Sequence, residues 1–475
     1  MSYIEGVSRE QVLLFPEVVE EYVSLDNPVR FIDAFVSKLD LGQKGFQHSQ
    51  LKETGRPPYH PGDLLRLYIY GYLNRIRSSR RLEVEAQRNV ELMWLIKKLA
   101  PDFKTIADFR KDNRQAIKEV CRDFTVLCKQ MDLFNRELVA IDGSKFRAVN
   151  SKRRNFNQGK LKEAIQEIEK KVESYLEAVD QKDQEEAGLK KDNAQELSRK
   201  IASLKDRQEQ YQKLLAQLQE SGQTQVSLTD PDSRAMSQGQ GTPVGYNVQM
   251  AVDEKHKLIV EHEVTNSPSD LNQLSSMAIQ AQDALGAKDL KVVADQGYYH
   301  GKEVLKCQSV GIEVHMSKPI TSANTKQGLF GKESFKYDSE KDCYVCPAGQ
   351  ELRFQYKSFE LGRSIRYYKT KACQSCLIKP QCTRNKQGRR ISRWEHEAVL
   401  EEMEARVKAD ASVLRKRKSI VEHPFGTIKR AMEAGYFLCR GLEKVGTEMS
   451  LTVLAYNIKR VVNILGVRRM IQALG

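Results

Sequence analysis

Three acidic residues, far apart in the chain, stand where acids do chemistry. Asp142 ends the apolar run Leu138-Val139-Ala140-Ile141, and Asp295 ends Lys291-Val292-Val293-Ala294. Each has a glycine within two residues, Gly143 and Gly297. Acids at strand ends, beside permissive backbone, are a usual way to hold a hard divalent cation. Glu422 lies in Lys418-Ser419-Ile420-Val421-Glu422-His423-Pro424-Phe425-Gly426-Thr427-Ile428-Lys429, which reads as a helix. Three oxygen ligands with open positions suit Mg²⁺ (or Mn²⁺), which keeps waters and phosphate oxygens. Two such ions about 4 Å apart can activate an attacking oxygen and stabilise a leaving one. Taken singly, each acid is more ordinarily a cap or a surface charge. Composition and spacing do not join three acids so distant in sequence.

A second constellation is Cys343-x2-Cys346 followed by Cys373-x2-Cys376-x5-Cys382. Thiolate pairs at this spacing suit a tetrahedral structural Zn²⁺. In Cys346-Pro347-Ala348-Gly349 the Pro and Gly turn the backbone as a metal knuckle would require. Five cysteines compete for four positions, and spacing alone favours the two pairs. Reduced, buried thiols without metal are the alternative. Cys121, Cys128, Cys307 and Cys439 read as isolated core residues.

The third feature is positive charge. The chain has 77 Lys and Arg against 63 Asp and Glu, a net +14. A surplus of this size suggests a polyanion, and nucleic acid is the default partner. The basic residues cluster. Arg75, Arg77, Arg80 and Arg81 surround Ser78 and Ser79; Lys152-Arg153-Arg154 follows the first acid; Arg389-Arg390 stands with Arg393; Arg415-Lys416-Arg417-Lys418 precedes Glu422. Two of these runs lie close to a candidate acid, as expected where phosphates cross an active site. A solvated helix face is the competing explanation for each. Trp394, Tyr298 and Tyr299 could stack a base, but core packing is the commoner use of such rings. His423 adjoins Glu422, yet a backbone neighbour on a helix points elsewhere, so it receives no catalytic role. No Walker A or dinucleotide fingerprint occurs, which leaves ATP-driven chemistry unsupported.

The elements that must position these residues follow from periodicity. At 475 residues, with 40% hydrophobic residues, the chain is too long for one compact core. Residues 1 to about 130 read as helical. Phe31, Ile32, Phe35, Val36 and Leu39 form one apolar face, and Gly55-Arg56-Pro57-Pro58 is a break, after which Asp63 is a plausible N-cap. A strand begins near Leu138, with a bend expected at Gly143. Leu161, Ile165, Ile168, Val172, Tyr175 and Val179 form a heptad seam, and Leu197, Ile201, Leu204, Gln208, Tyr211, Leu215 and Leu218 form a second. With Gly188 between them they predict a helical hairpin over 160–220, projecting as an insertion; one long bent helix is the alternative. From Val244 the period drops to two, predicting a β-hairpin through Val264. A helix over Leu271–Leu285, capped by Ser269 or Asp270, is followed by strand, helix and strand to residue 316. Residues 320–395 hold the cysteines, and the rest is helical, with a packing helix over Met449–Leu465. No run of 18 apolar residues occurs, so no membrane span is expected. The acidic start argues against a secretory signal, and the cytoplasm is the expected compartment.

Ala140-Ile141-Asp142-Gly143-Ser144, Val292-Val293-Ala294-Asp295-Gln296-Gly297-Tyr298 and Val421-Glu422-His423-Pro424-Phe425-Gly426 resemble the three signature regions of DDE insertion-sequence transposases. Gly55-Arg56-Pro57-Pro58-Tyr59, Tyr70 to Arg80, Thr229-Asp230-Pro231-Asp232-Ser233-Arg234 and Gly245-Tyr246-Asn247-Val248-Gln249 extend the resemblance, which is to the insertion-sequence family eleven-eighty-two and covers about residues 10–468. It implies a multidomain α/β protein. Residues 1–135 would be a helical DNA-binding domain. Residues 136–475 would be a ribonuclease-H-like mixed-sheet catalytic domain, carrying a coiled-coil hairpin at 160–220 and a Cys-rich, zinc-ribbon-like insertion at 320–395. It implies Asp142, Asp295 and Glu422 as catalytic ligands of Mg²⁺. Among the cysteines it favours Cys346, Cys373, Cys376 and Cys382 for Zn²⁺, with Cys343 as the competitor. One departure stands out. Related transposases carry a Tyr, Arg, Glu, Lys signature spaced Y-x2-R-x3-E-x6-K; here Arg415 and Lys418 occupy the first two positions, while Glu422 and Lys429 keep the last interval. The expected DNA contacts are Arg75, Arg77, Arg80, Arg81, Lys152, Arg153, Arg154, Arg415, Lys418 and Lys429. The implied activity is metal-dependent cleavage at the ends of the chain's own element and strand transfer into target DNA. Its partners would be double-stranded DNA, with terminal inverted repeats, and a second copy in the synaptic complex, in a prokaryotic cytoplasm. A catalytically silent DNA-binding descendant and a host nuclease of the same fold are the alternatives.

Overall fold

The computed structural model describes residues 18–50, 57–149, 154–185, 191–236, 242–319 and 322–475. Among the described residues, a short 3-10 turn (Val19–Tyr22) is followed by six α-helices: α1 (Pro28–Lys38), α2 (Pro61–Leu73), α3 (Ser79–Arg88), α4 (Val90–Leu95), α5 (Phe103–Asp112) and α6 (Arg114–Gln130). Local chemistry sets their starts. Asn27 accepts from Val29 N ahead of Pro28, and Asp102 accepts from Thr105 N, so each satisfies an orphan amide. The start expected at Asp63 is corrected. α2 begins at Pro61, with the His60 ring as cap on Gly62 N, and Asp63 sits in the first turn. The apolar face read at Phe31 and Phe35 packs edge-on against Phe124 of α6.

The main sheet is mixed. β1 (Leu138–Arg147), β7 (Leu290–Ala294) and β8 (Ile312–His315) run parallel. β5 (Val244–Asp253) pairs antiparallel with β1, β6 (Ile259–Thr265) and the short β4 (Arg234–Ala235), giving the order β4-β5-β1-β7-β8 with β6 also on β5. β1 does not bend at Gly143; it pairs with β5 without a break from Val139 to Arg147. Glycine has a different use there. A Cβ at 143 would clash with the Gln249 amide and stand 2.7 Å from Asp270 Oδ1 and 2.9 Å from Asn247 Oδ1. The helix expected over 271–285 is α9 (Leu274–Leu285), and its cap residue Gln273 makes no side-chain cap bond. Asp270, an expected cap, instead accepts from Asn247 and Gln249.

Between β1 and β5 lies the insertion. β2 (Asn155–Asn157) pairs with β3 (Gln225–Ser227) at its base, below α7 (Gln158–Glu185) and α8 (Lys191–Ser221). Leu161 and Leu218 are buried together near the base, and Gln208 bonds Glu169 farther out, so the helices run antiparallel. Gly188 and the side chains of Val179 and Leu197 lie outside the described residues.

After α10 (Gly301–Ser309) and β8, residues 336–394 carry a separate five-stranded antiparallel sheet. Its strands are β9 (Lys336–Asp338), β10 (Cys343–Val345), β11 (Glu351–Glu360), β12 (Arg363–Lys369) and β13 (Arg390–Trp394), with short helices α11 (Ala323–Lys326) and α12 (Lys379–Cys382). Phe335, Tyr344, Leu352, Tyr368 and Ile391 make its own small core.

The chain ends in α13 (Glu397–Ala409), α14 (Ser412–Gly426), α15 (Leu442–Leu465) and α16 (Val467–Gln472). α15 begins a full two turns before the expected Met449. The Thr229–Arg234 motif explains where it starts. Asp230 accepts from Gly441 N and Asp232 from Leu442 N, placing two acids at the positive end of the helix dipole. α15 packs on α2 and α6, so the first and last parts of the chain share one core. Among the described residues no helix is long and apolar enough to cross a membrane.

Candidate active site

The parallel register of β1 and β7 does most of the assembly. Ile141 is paired with Ala294, so the next residues, Asp142 and Asp295, stand abreast where β7 ends. Each carboxylate is held locally: Asp142 Oδ1 accepts from Gly143 N at 2.9 Å, and Asp295 Oδ1 from Gln296 N at 2.7 Å. α14 packs on β1, β5 and β7 and brings Arg417 between them. Its Nη1 lies 2.9 Å from Asp142 Oδ2 and its Nη2 lies 3.7 Å from Asp295 Oδ2. Burial pushes the Asp142 carboxyl up; Arg417 and the Gly143 amide pull it down, and Asp295 and Asp270 add to the rise.

Glu422 does not share that guanidinium. Five residues along a helix turn it about 140° away from Arg417. Its side chain is 65% exposed, and its ion pair is with Lys418 at 3.7 Å. Among the described residues, no three His, Cys, Asp or Glu side chains are grouped to hold a metal ion. His423 turns to Tyr456, with Nδ1 2.9 Å from the hydroxyl.

After Gly426 the helix widens into a π-type turn over Thr427–Ala431, which swings Lys429 onto β1. There Nζ donates to Ser144 Oγ at 2.6 Å and Lys145 O at 2.9 Å, above the Phe146 ring. Burial, with Lys145 nearby, lowers its pKa to about 8.

Behind Gly143 is a polar layer that sequence reasoning missed. Asn247 and Gln249, on one face of β5, both donate to Asp270 Oδ1, at 2.6 and 2.7 Å. Gln249 also accepts from the buried Tyr298 hydroxyl, and Lys145 stands 3.6 Å from Asp270. The signal was present: Asn and Gln two apart in a strand otherwise apolar or small.

The expected DNA contacts divide. Arg77 is corrected. It is 7% exposed, donates to Tyr436 O and Glu433 O, and pairs with Glu448, which is fully buried. It ties the junction before α3 to α15 and presents nothing to a phosphate. Arg75 faces solvent 3.6 Å from Glu433, Arg80 lies exposed over Phe103, and Arg81, Arg154, Arg415 and Lys418 are exposed. Lys152 and Arg153 lie outside the described residues.

Cys346, Cys373, Cys376 and Cys382 line one small cavity with Pro347, Ala348 and Arg389. Burial pushes the Cys382 thiol up, Arg389 pulls it down, and the other three thiols add to the rise. Cys343 is buried in β10 and does not line that cavity, because its register with Asp338 and Arg353 turns it elsewhere. The pair suggested by spacing alone, Cys343 with Cys346, thus has only its second member on this cavity.

Residues 345–462 match a family model described as a transposase DDE domain, and residues 17–112 match one described as a transposase domain. Together they take in α14 with Arg417 and Glu422, and most of the first helices. No curated protein matches the chain. Among solved structures, the chain is similar to a piggyBac transposase synaptic complex with hairpin DNA, determined by cryo-EM, at 8% identity and a TM-score of 0.32, covering 95% of this chain and 80% of that one.

Proposed function

A chain that carries both of these domains is a DDE-type transposase, and from that premise we propose that Asp142, Asp295 and Glu422 are the carboxylates around which it cuts DNA. The observation that carries this reading is the pair of aspartates, abreast on neighbouring parallel strands and sharing one cation. The strand order, with β5 antiparallel and β7 and β8 parallel to β1, supports a ribonuclease-H-like reading of the sheet.

A DDE domain implies dependence on a divalent metal. The donor set fits one: two hard carboxylates already converge on a positive charge, which is the demand Mg²⁺ or Mn²⁺ makes. Asp142 and Asp295 would hold it, with Glu422 as the third ligand. When bound, the metal supplies Lewis-acid stabilisation of negative charge on the phosphate. The chain's own groups do the rest. Arg417, freed from the carboxylates, is a bidentate donor for a phosphate oxygen pair. Lys429, fixed to Ser144 and Lys145, holds β1 against α14 and keeps Asp142 in register.

The proposed reaction is hydrolysis of a phosphodiester at each end of the chain's own insertion sequence. Attack of the freed 3′-hydroxyl on target DNA then breaks one phosphodiester as it forms another. Two ends imply a homodimer on double-stranded DNA bearing terminal inverted repeats. The exposed arginines 75, 80 and 81 and the basic start of α14 are the surfaces offered to phosphate. We assign Cys346, Cys373, Cys376 and Cys382 to structural Zn²⁺, with Cys343 as a core residue, and read α7 and α8 as a coiled-coil hairpin. Duplex carrying an end of the element should be nicked with Mg²⁺ and untouched with chelator. Cleavage that ignores the end sequence would favour a general nuclease instead.

A further inference from the structure

Much of the chain's positive charge is concentrated in the cysteine-bearing sheet. Residues 346–395 hold twelve Lys and Arg and three Asp and Glu, a net +9 of the chain's +14. Its longest feature is the ribbon formed by β11 and β12, paired from Arg353↔Lys369 to Glu360↔Arg363 with a bulge between Phe354 and Tyr356. β13 covers β12 only over Ile365–Lys369, so the ribbon continues past the sheet as two bare strands. Tyr356 stacks on Tyr367 at 4.9 Å, and Arg390 lies over Tyr367 while bonding the Tyr356 hydroxyl, which stiffens the ribbon across three strands.

The tip is unusual. Phe359 is 77% exposed and Leu361 is 98% exposed. Leu361 and Gly362 form the two-residue turn, with φ of 49° and 70°. Turns with both residues at positive φ favour Asn-Gly or Asp-Gly, so a leucine here is held against its backbone preference with its side chain in water. That combination points to a ligand for the side chain.

The ribbon also touches α10, the helix that follows Asp295 in the chain. Trp394 packs on Gly301, where a Cβ would stand 2.9 Å from the indole, and Arg363 lies over the Trp394 ring. A Cβ on Gly362 would stand 2.9 Å from Lys302 Nζ. The tip therefore rests on the first turn of α10, which begins six residues after Asp295.

We propose that the ribbon is a DNA-gripping arm resting on α10: Arg353, Lys357, Arg363, Arg366 and Lys302 hold backbone phosphates, while Phe359 and Leu361 enter the groove of the duplex. The acid partners of these cations are the exposed Glu395 and the half-buried Glu351 and Asp342; the first two are surface pairs that phosphate can replace, whereas Asp342 stays held by the Tyr337 and Tyr368 hydroxyls when Arg366 leaves it. Duplex DNA is the occupant because Arg363 and Lys302 stand at the apolar tip and Lys357, Arg366 and Arg353 follow along the ribbon, the combination of cations and apolar wedge that groove-inserting proteins use.

This rests on the transposase reading, and the test separates the two. Full-length protein is titrated with a labelled random-sequence duplex at several salt concentrations. Two variants are compared: Phe359→Ser with Leu361→Asn, which suits the turn and should keep the fold, and Arg353→Gln with Lys357→Gln and Arg363→Gln. The cation variant should lose about 0.9 of the slope of log K against log salt for each phosphate contact removed. The tip variant should bind roughly tenfold more weakly with the slope unchanged. Wild-type affinity and slope in both variants would overturn the arm while leaving the transposase reading intact. Unchanged DNA binding with a shift from dimer to monomer in sedimentation would assign the tip to a second copy and overturn it equally. Failure of the wild-type protein to bind duplex would overturn both readings.

Discussion

One guanidinium joins the two aspartates: Arg417 Nη1 stands 2.9 Å from Asp142 Oδ2 and Nη2 stands 3.7 Å from Asp295 Oδ2. The position where a catalytic dication would gather charge is thus filled by a side chain that a dication must displace. Arg417→Met should therefore bind Mn²⁺ more tightly than wild type in calorimetry. It should also cut DNA on the order of 10²-fold more slowly, because a donor to the developing charge is lost. Weaker metal binding in this variant would show that Arg417 organises the carboxylates rather than competing for them.

Arg77 and Glu448 form a buried pair between the two ends of the chain. Arg77→Ala should destabilise the protein by about 3–5 kcal/mol, since the buried Glu448 loses its counter-ion and keeps only the Leu438 and Cys439 amides. Urea unfolding measures this. Duplex affinity of the folded variant should stay within about twofold. A stable variant with a lost DNA contact would return Arg77 to the DNA surface.

Gly143 is the point where Gln249, Asp270 and Asn247 close on β1. Gly143→Ala should cost about 1–3 kcal/mol by overpacking and should perturb Asp142, its neighbour. A thermal melt superimposable on wild type would mean that the polar layer has room the geometry denies.

His262 is buried on β6 with Nε2 2.9 Å from Ser450 Oγ, and burial lowers its pKa to about 3, helped by Lys118 and Arg122. The unfolded chain binds this proton near pH 6.5 and the folded chain does not. Stability is therefore complete above pH 6.5 and falls as pH drops towards 3, at up to about 1.4 kcal/mol per pH unit. His262→Gln should flatten that part of the stability profile between pH 6.5 and 5. An unchanged slope would place the acid sensitivity elsewhere.

The cysteine assignment makes a simple analytical prediction. Purified protein should carry about one zinc per chain. Cys373→Ala should lose it, while Cys343→Ala should keep it, because Cys343 does not line the shared cavity. Metal content that depends on Cys343 would reverse the choice.

Features written in local pattern were legible. β1 and β7 form at the two apolar runs, and the seam residues Leu161 and Leu218 meet in the inserted hairpin. What was not legible depends on rotation or on distant partners. Signature spacing pointed to Lys418, but one residue is about 100° on a helix, and it is Arg417 that faces the sheet. The π-type turn that redirects Lys429 leaves no mark in composition. Arg77 reads as a surface cation because its partner lies 371 positions away. Cys343 fits metal spacing, yet strand register, which spacing does not encode, turns it away.

The account stands on the three acids. Asp142→Asn, Asp295→Asn and Glu422→Gln should each bind duplex bearing the element's end as wild type does. Each should nick it with Mg²⁺ on the order of 10³-fold more slowly, the loss expected when a metal ligand goes. Glu422 is the decisive arm, because its carboxylate is exposed and paired with Lys418 rather than Arg417. Wild-type nicking by Glu422→Gln would remove it from the site, and wild-type nicking by either aspartate variant would contradict the proposed centre outright.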